Sequence, residues 1–293
     1  MVNILSGKEV SRKVYSDLTP RIYSLKKQGI TPCLAVILVG ENPASKIYVK
    51  SKTKKFKSLG LHSKIIHFER SIDEIELIRY IQSLNNTKDI HGILIQLPLP
   101  KHMDDLKILK LVSPSKDVDG FHPENVGLLS IGHPRFISCT PKGIMRIFEH
   151  YDINLNGKHV VVLGRSNIVG RPMSLLTGAK EKGANATTTV CHSGTKNIQD
   201  YISSADVVIS ALGVPGFLKG KMLKKGAVVI DVGINRVKAD NERGYNLVGD
   251  ADWHSIQKKV SAATPVPGGV GPMTIAMLVE NTVEATERIM VDF

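Results

Sequence analysis

The chain has 293 residues, 42% of them hydrophobic, which leaves room for two domains and excludes a disordered chain. Its longest apolar runs are the size of strands, short of the ~20 residues that span a bilayer, and residues 1–8 lack a signal-peptide core, so we expect a cytoplasmic protein that does not enter the membrane. The formal net charge of +12 suggests an anionic partner, but the lysines of residues 50–57 have few aromatic neighbours to stack on bases, which favours a small polyanionic ligand over nucleic acid.

The first third of the chain has the pattern of a small α/β domain. Apolar spacing and turn signals predict these elements in order: a helix over 7–28 with a kink at Pro20, a strand over 33–39, a helix between Pro43 and Gly60, a strand over 61–68, a helix opened by the capping box Ser71-x-x-Glu74 and ending at Leu84, and a strand over 91–97. We therefore expect this region to form a domain of its own.

A second α/β region follows. Residues 104–111 are predicted to be helical, and Thr140-Pro141 starts another helix, near which we place the domain boundary. Helix-forming segments separate strand-like runs at 160–163, 187–191, 206–212 and 227–231. This repeated βα pattern is typical of a nucleotide-binding domain. A proline- and glycine-rich segment then leads into a last helix with an apolar side formed by Ile275, Leu278 and Val279.

Residues 160–172 are predicted to form a buried strand, a tight loop and the start of a helix. The strand stops at Gly164, and Pro172 suits the first turn of a helix. Unpaired N–H groups at such a helix start attract a phosphate. Gly164-x-Ser166-x-x-x-Gly170 has a serine where the usual dinucleotide motif has its second glycine, so we expect a hydrogen bond from the Ser166 hydroxyl instead. The alternative is an ordinary glycine turn between a strand and a helix.

The end of the following strand bears on the choice of cofactor. Enzymes that prefer NAD usually place an Asp or Glu there, whereas this chain has Cys191-His192-Ser193-Gly194. Arg165 can pair with a 2′-phosphate, and Ser193 can donate a hydrogen bond to it. The sequence therefore predicts NADP rather than NAD.

Tyr48 and Lys52 are one helical turn apart and share a face of the second predicted helix. Neighbouring cations at Lys50, Lys54 and Lys55, together with partial burial, are expected to lower the pKa of Lys52 towards the range of an acid and base. The alternative is a surface lysine beside a core tyrosine.

Three further stretches carry candidate ligand-binding groups. Gln96 stands at the carboxyl end of a buried strand, where α/β sites form, although it can also bond a neighbouring backbone group. Asp117-Val-Asp119 begins like a calcium loop, but the twelfth position is Leu128 instead of glutamate, so calcium is excluded and Asp119 is either a turn residue or a ligand-binding carboxylate. The glycines of residues 268–271 allow close approach of a ligand, or form an interdomain linker.

The cysteines do not indicate a disulfide framework or a metal site. Cys33, Cys139 and Cys191 lack C-x-x-C or Cys/His ligand spacing. We expect free thiols and no metal.

Five motifs in order resemble the bifunctional methylenetetrahydrofolate dehydrogenase/cyclohydrolase family over essentially the whole chain. They are Ser45-x-x-Tyr-Val-x-x-Lys52, Gln96-Leu-Pro-Leu99, Lys116-Asp-Val-Asp-Gly-Phe121, Gly164-x-Ser-x-x-Val-Gly-x-Pro172 and Pro265-Val-Pro-Gly-Gly-Val-Gly-Pro-Met-Thr274. The resemblance implies oxidation of 5,10-methylenetetrahydrofolate to the methenyl form with NADP and hydrolysis to 10-formyltetrahydrofolate, within one-carbon metabolism and purine biosynthesis.

The resemblance also implies a domain plan. Residues 1–140 would form a folate-binding and catalytic domain, completed by a returning C-terminal helix over 272–293. Residues 141–271 would form a Rossmann-type NADP-binding domain. The implied architecture is two α/β domains that flank a cleft, usually in a homodimer.

Site residues carried over from the family fall into three groups. The catalytic group is Lys52, with Gln96 to orient it, Tyr48 to pack on the folate and Asp119 to accept from the pterin. The implied cofactor-binding residues are Gly164, Arg165, Ser166, Ile168, Ser193 and Ile234. The implied substrate-binding residues are Tyr48, Lys52, Gln96, Leu97, Pro98, Asp119, Pro267, Gly268, Gly271 and Pro272.

Two other classes of function stay open. One is another NADP-dependent dehydrogenase that acts on a small hydroxy acid, which would need an acid/base in the nucleotide domain. The other is a basic nucleotide- or nucleic-acid-binding protein without catalysis, for which salt-dependent binding is the test.

Overall fold

A computed structural model describes residues 2–242 and 244–291. Its strands are β1 (Asn3–Ile4), β2 (Cys33–Val39), β3 (His62–Phe68), β4 (Gly92–Ile95), β5 (His159–Leu163), β6 (Thr187–Cys191), β7 (Val207–Ser210), β8 (Val228–Asp231), β9 (Asn235–Lys238), β10 (Tyr245–Val248) and β11 (Ala262–Ala263). Its α-helices are α1 (Gly7–Lys27), α2 (Pro43–Ser58), α3 (Glu74–Asn86), α4 (Asp105–Leu109), α5 (Pro123–Ser130), α6 (Cys139–His150), α7 (Gly170–Gly178), α8 (Ile198–Ser204), α9 (Trp253–Ile256) and α10 (Val270–Val291).

The chain divides into two compact α/β units, which confirms the predicted fold class. Unit A contains residues 13–139 and the described part of 275–293. Unit B contains residues 2–12 and 140–274. Helices α1 and α10 each contribute residues to both units.

Unit A is built on a three-stranded parallel sheet in the order β3-β2-β4. The central strand β2 is buried along nearly its whole length, as its unbroken apolar sequence predicts. Helix α2 begins beside it because Asn42 accepts hydrogen bonds from the N–H groups of Ala44 and Ser45, each at 3.0 Å, and Pro43 occupies the first turn. Its inward stripe consists of Ser45, Val49, Lys52 and Phe56.

Helix α10 packs with unit A, as predicted for the C-terminal helix. Its Asn281 is fully buried, and Nδ2 donates to the carbonyl oxygens of Val118 at 2.8 Å and Ile137 at 3.0 Å. Arg21 on α1 forms a two-pronged ion pair with Glu287. The last two residues of the predicted helix, 292–293, lie outside the described residues.

Unit B contains a six-stranded parallel sheet in the order β1-β11-β8-β7-β5-β6. Strands β5, β7 and β8 are interior strands with buried Val and Ile side chains, as expected for strands covered on both faces. Because all strands run in parallel, their carboxyl ends share one edge, where ligands of such sheets bind. A separate antiparallel hairpin joins β9 and β10.

The structure corrects two details of the predicted elements. Helix α3 is capped by Asp73, whose side chain accepts from the N–H of Ile75, so the predicted cap at Ser71 is wrong. Aspartate is as good a cap as serine, and it stands one residue before the helix. The strands predicted over 91–97 and 206–212 are shorter than predicted, because their ends turn into loops. Helix α1 contains Pro20, as predicted, and the kink at this residue stays a prediction.

The predicted free thiols are confirmed, since Cys33, Cys139 and Cys191 form no disulfide. Within residues 2–242 and 244–291, no group of three or more His, Cys, Asp or Glu side chains is arranged to hold a metal ion. Over the same residues, none of the helices has the length and apolar character that a membrane crossing requires.

Candidate active site

Lys52 and Gln96 form the centre of the site in unit A. Lys52 lies on the buried stripe of α2 and is only 7% exposed. Its Nζ donates to Oε1 of Gln96 at 3.0 Å. The backbone N–H of Gln96 bonds the carbonyl oxygen of Ile37 at 2.9 Å, which fixes Gln96 at the carboxyl end of β4 beside β2. The amide Nε2 donates to the carbonyl oxygen of Leu97 at 2.9 Å, so both ends of the Gln96 amide are held.

Burial lowers the pKa of Lys52, and the negative charge of Asp119 partly opposes that shift. The predicted contribution of neighbouring cations is wrong, because desolvation alone lowers this pKa: Lys50 and Lys54 lie on exposed positions of α2, and the Lys55 amine lies over the Tyr15 ring. The same burial raises the pKa of Asp119, while Lys52 and a hydrogen bond from Cys139 act in the opposite sense. Desolvation therefore moves both groups towards their neutral forms.

The two aspartates of the predicted Asp117-Val-Asp119 stretch make different contacts. Asp117 accepts hydrogen bonds from the N–H groups of Phe121 and His122 and from Nδ2 of Asn125, so it holds the turn. Asp119 instead interacts electrostatically with Lys52. The structure thus shows that Asp117 is the residue that holds the turn and that Asp119 lies near Lys52. The sequence spacing alone did not distinguish these two roles for Asp119.

Cys139 and Asn281 support the backbone around Asp119. The Cys139 thiol donates to the carbonyl oxygen of Val118 at 3.5 Å, and Asn281 bonds that same oxygen from α10. Sequence reasoning missed both residues as parts of the site. Asn281 is more than 160 positions away from Val118 in sequence, and no local pattern links the two.

Tyr48 lies one turn before Lys52 and is 37% exposed. Leu97 is partly buried and Pro98 is exposed. The Ser45 hydroxyl, in the same stripe of α2, donates to the carbonyl oxygen of Leu97 at 3.3 Å. The four predicted groups of unit A, Tyr48, Lys52, Gln96 and Asp119, therefore belong to one neighbourhood with Leu97 at its edge.

The glycine loop of unit B has the shape of an anion-binding cradle. Gly164 has a φ of 113°, and a side chain there would collide with the carbonyl oxygen of Ala211. A side chain at Gly170 would collide with the carbonyl of Gly164, so the start of α7 closes tightly over the loop. The Ser166 hydroxyl accepts from the N–H of Val169 at 3.1 Å, and it can still donate to a phosphate. These residues fit a dinucleotide phosphate.

The other predicted cofactor positions are open to solvent at the same edge of the sheet. Arg165, Ile168 and Ser193 are exposed. At the end of β6, the His192 N–H donates to the Thr195 hydroxyl at 2.9 Å, in a turn without an acidic residue. A cation and a hydroxyl without a carboxylate suit a phosphorylated ribose better than a free ribose diol.

The last predicted positions also belong to unit B. Ile234 is exposed, and its Cδ1 lies 3.6 Å from the site of a Cβ on Gly271. Gly268 has a φ of 110°, and its carbonyl oxygen accepts from the N–H of Lys8 at 3.2 Å. Pro267 lines a cavity of about 510 Å³ together with residues of the hairpin, and Pro272 is partly buried.

Comparisons with known proteins agree with this geometry. Residues 5–119 match the model of the tetrahydrofolate dehydrogenase/cyclohydrolase catalytic domain, and residues 138–290 match the model of the tetrahydrofolate dehydrogenase/cyclohydrolase NAD(P)-binding domain. A bifunctional protein FolD of Chlorobium phaeobacteroides is 50% identical over 292 residues, which covers 98% of each chain.

Solved structures give the same result. The bifunctional enzyme FolD, a methylenetetrahydrofolate dehydrogenase/cyclohydrolase from Campylobacter jejuni, is 48% identical, with a TM-score of 0.92 over 99% of this chain and all of that one. The Trypanosoma brucei dehydrogenase-cyclohydrolase, solved with NADP cofactor and an inhibitor, is 35% identical, with a TM-score of 0.93 over 99% of this chain and 98% of that one. The predicted enzyme class and the predicted nicotinamide cofactor are confirmed: the chain belongs to the tetrahydrofolate dehydrogenase/cyclohydrolase family.

Proposed function

We propose that the chain oxidises 5,10-methylenetetrahydrofolate to 5,10-methenyltetrahydrofolate with NADP and then hydrolyses the product to 10-formyltetrahydrofolate. The observation that carries this proposal is the buried Lys52 amine, bonded to Gln96 and facing the charge of Asp119. An amine with a lowered pKa can take a proton from water and return it, which hydrolysis requires.

In the hydrolytic step, we assign the proton transfers to Lys52. A water oxygen forms a bond to the methenyl carbon, and the neutral amine accepts the proton that the water releases. The proton then goes to the folate nitrogen as one carbon–nitrogen bond breaks, and the second proton of the added water is released to solvent as the C=O bond of the formyl group forms on the other nitrogen. Gln96 is the orienting group, because its bond to Nζ fixes the direction of the amine.

In the oxidative step, the chain supplies alignment rather than proton transfer. When bound, NADP accepts a hydride from the methylene carbon, and the adjacent folate nitrogen stabilises the cation that remains. Asp119 holds the pterin by accepting from its N–H groups, and Tyr48 packs on the ring. Leu97 and Pro98 in unit A, and Pro267, Gly268, Gly271 and Pro272 in unit B, complete the proposed substrate-binding set.

The proposed cofactor site is the edge of unit B around Gly164. The backbone of this loop and the Ser166 hydroxyl bind phosphate, and Ile168 and Ile234 supply apolar contact. Arg165 and Ser193 bind the 2′-phosphate, because both are exposed and the end of β6 lacks an acidic residue. An exposed cation and hydroxyl without a neighbouring carboxylate favour NADP over NAD.

The proposed division of labour assigns residues 1–140 with the C-terminal helix 272–293 to folate and residues 141–271 to NADP. We further propose a homodimer in the cytoplasm, whose product enters purine biosynthesis as part of one-carbon metabolism. Family membership supports these assignments.

An absorbance assay tests the proposal. Purified enzyme with methylenetetrahydrofolate and NADP should form methenyltetrahydrofolate, whose absorbance then decays as hydrolysis proceeds. NAD in place of NADP should give a lower kcat/KM. Oxidation of small hydroxy acids by the same preparation, without turnover of the folate, would contradict the proposed function.

A further inference from the structure

Two loops of unit B leave the carboxyl ends of adjacent strands. Strand β7 ends at Ser210 and β8 at Asp231, and these residues are register partners in the parallel sheet. The first loop is residues 211–214 and the second loop is residues 232–234. Both loops therefore lie at the sheet edge where the cofactor binds in the proposed function.

Asp250 ties the two loops together. This residue is fully buried. Its Oδ2 accepts from the N–H groups of Leu212 at 2.7 Å and Gly213 at 3.1 Å, in the first loop. Its Oδ1 accepts from Nδ2 of Asn235 at 3.0 Å, directly after the second loop. One carboxylate thus joins both loops through charge-assisted hydrogen bonds.

The position of Asp250 is itself fixed. Oδ1 of Asp231 accepts from the N–H groups of Asp250 at 2.9 Å and Gly233 at 3.0 Å, and Oδ2 accepts from the N–H of Ala251 at 2.8 Å. A side chain at Gly233 would collide with the Asp250 carboxylate. The second loop therefore closes directly on Asp250.

Both loops contact positions of the proposed cofactor and substrate sites. The Ala211 N–H bonds the carbonyl oxygen of Leu163, and the Ala211 carbonyl fills the space beside Gly164. Ile234 belongs to the second loop and lies against Gly271. A shift of either loop would move Ala211 or Ile234, while Ser166 and the start of α7 would keep their own hydrogen bonds.

The strand order indicates which half of the cofactor these loops meet. Strand β6, whose end carries Ser193, lies on one side of β5, and β7 and β8 lie on the other. With the 2′-phosphate end of the dinucleotide over β6 and the phosphates over the loop after β5, the nicotinamide half extends over β7 and β8.

We propose that Asp250 is a positioning residue of the oxidative step, which holds the first and second loops in the arrangement that positions the nicotinamide for hydride transfer. This inference rests on the proposed function. It predicts that Asp250 affects hydride transfer without taking part in hydrolysis, for which the proposed proton-transfer group Lys52 and its orienting partner Gln96 lie in unit A.

Asp250→Ala tests the proposal. The kcat for oxidation should fall about 100-fold, since misalignment by about 1 Å costs that much. The dissociation constant of NADP, from calorimetric titration, should change less than about threefold, because the phosphate loop is intact. The cyclohydrolase rate on added methenyltetrahydrofolate should stay within about twofold of wild type.

Asp250→Asn is the conservative partner of this variant. Its carbonyl oxygen can accept from both Leu212 and Gly213, and the Asn235 amide can rotate to accept from the new NH₂ group. It should keep at least about one third of the oxidative kcat. A loss as large as that of Asp250→Ala would overturn positioning through these hydrogen bonds.

Asp206→Ala is the matched control. Asp206 accepts from the N–H of His159 at 3.0 Å and pairs with Lys224, at the opposite, amino end of β5. It should lower the melting temperature and leave the oxidative kcat unchanged. If it lowers the oxidative kcat as much as Asp250→Ala does, general destabilisation explains both and the proposal is overturned.

The remaining outcomes are also decisive. Wild-type kcat in Asp250→Ala, or equal losses of oxidation and hydrolysis, would overturn the proposal. If Asp250→Ala does not fold, Asn235→Ala decides: it should lower the oxidative kcat about tenfold with hydrolysis intact, and an unchanged kcat would refute the inference. Absence of folate oxidation by the wild-type protein would instead refute the proposed function.

Discussion

The candidate site of unit A and the glycine loop of unit B place their polar groups in opposite surroundings. In unit A, the charged groups are withdrawn from water, and Lys52 is held by a side-chain hydrogen bond to Gln96. In unit B, the charged and hydroxyl side chains, Arg165 and Ser193 among them, are exposed above a loop whose backbone is tightly packed. The two α/β units thus differ in whether their charged side chains are buried or exposed.

The difference follows from electrostatics. A lysine must lose its proton to act as a base, and burial favours the neutral amine. A phosphate-binding group must instead keep its positive charge. Exposure to water keeps an arginine charged and leaves backbone N–H donors available for the phosphate. Mutation of Lys52 and mutation of the exposed side chains around the glycine loop should therefore affect different steps.

The largest expected effect is that of Lys52→Met. Methionine keeps the length and the apolar contacts but removes the base, so hydrolysis should fall about 10²- to 10⁴-fold, while a measurable part of the oxidation survives. Absorbance should report accumulation of methenyltetrahydrofolate. Lys50→Met, on an exposed position of the same helix, is the control and should change neither rate. Equal loss of both activities with folate still bound would mean that Lys52 serves hydride transfer or the integrity of the site.

The pH dependence of the two steps should differ next most strongly. Below the pKa of Lys52, the fraction of neutral amine falls about tenfold for each pH unit, and the hydrolytic rate should fall with it. Because burial lowers this pKa, the decline should begin at a lower pH than the ordinary lysine value of about 10.4 would give. Stopped-flow rates on added methenyltetrahydrofolate measure the profile. The same inflection in the oxidative step would contradict the separation of roles.

Asp119→Ala should impair both activities through folate. Removing a carboxylate that accepts from the pterin costs about 1.5–3 kcal/mol, which is about a 10- to 150-fold loss of folate affinity. Calorimetric titration should show this loss with nearly unchanged NADP affinity. Normal folate binding in the variant would make Asp119 a residue of the turn, like Asp117.

Arg165→Ala should have the smallest effect and should be selective for the cofactor. The KM for NADP should rise about tenfold, and the KM for NAD should change little. Tenfold is near the low end of the effects expected for loss of a charge-assisted hydrogen bond, because the Arg165 side chain is exposed. Arg171→Ala is the control for a general loss of positive charge near the loop. It should change the KM for NADP and the KM for NAD by the same factor. An equal loss with both cofactors in Arg165→Ala would remove this residue from recognition of the 2′-phosphate.

Local patterns in the sequence predicted most of the elements. The strand over 187–191 has the predicted bounds, and the helix beginning at Pro43 lies where its first proline and its following glycine indicate. Bounds were less accurate where a strand ends in a loop, as after Ser210. The apolar sequence continues beyond Ser210, but the strand ends there. The N–H of Leu212 donates to the Asp250 carboxylate instead of to a neighbouring strand.

The amino-acid sequence alone is sufficient to predict the order of the longer strands and helices, the glycine loop and the shared face of Tyr48 and Lys52, because each depends on contacts within a few residues. Only the tertiary structure decides that burial rather than neighbouring lysines lowers the pKa of Lys52, and that Asp119 rather than Asp117 faces it. It also decides that Asn281 and Asp250 brace loops far from them in sequence. Desolvation and long-range hydrogen bonds arise from packing between distant segments, and no local spacing encodes them.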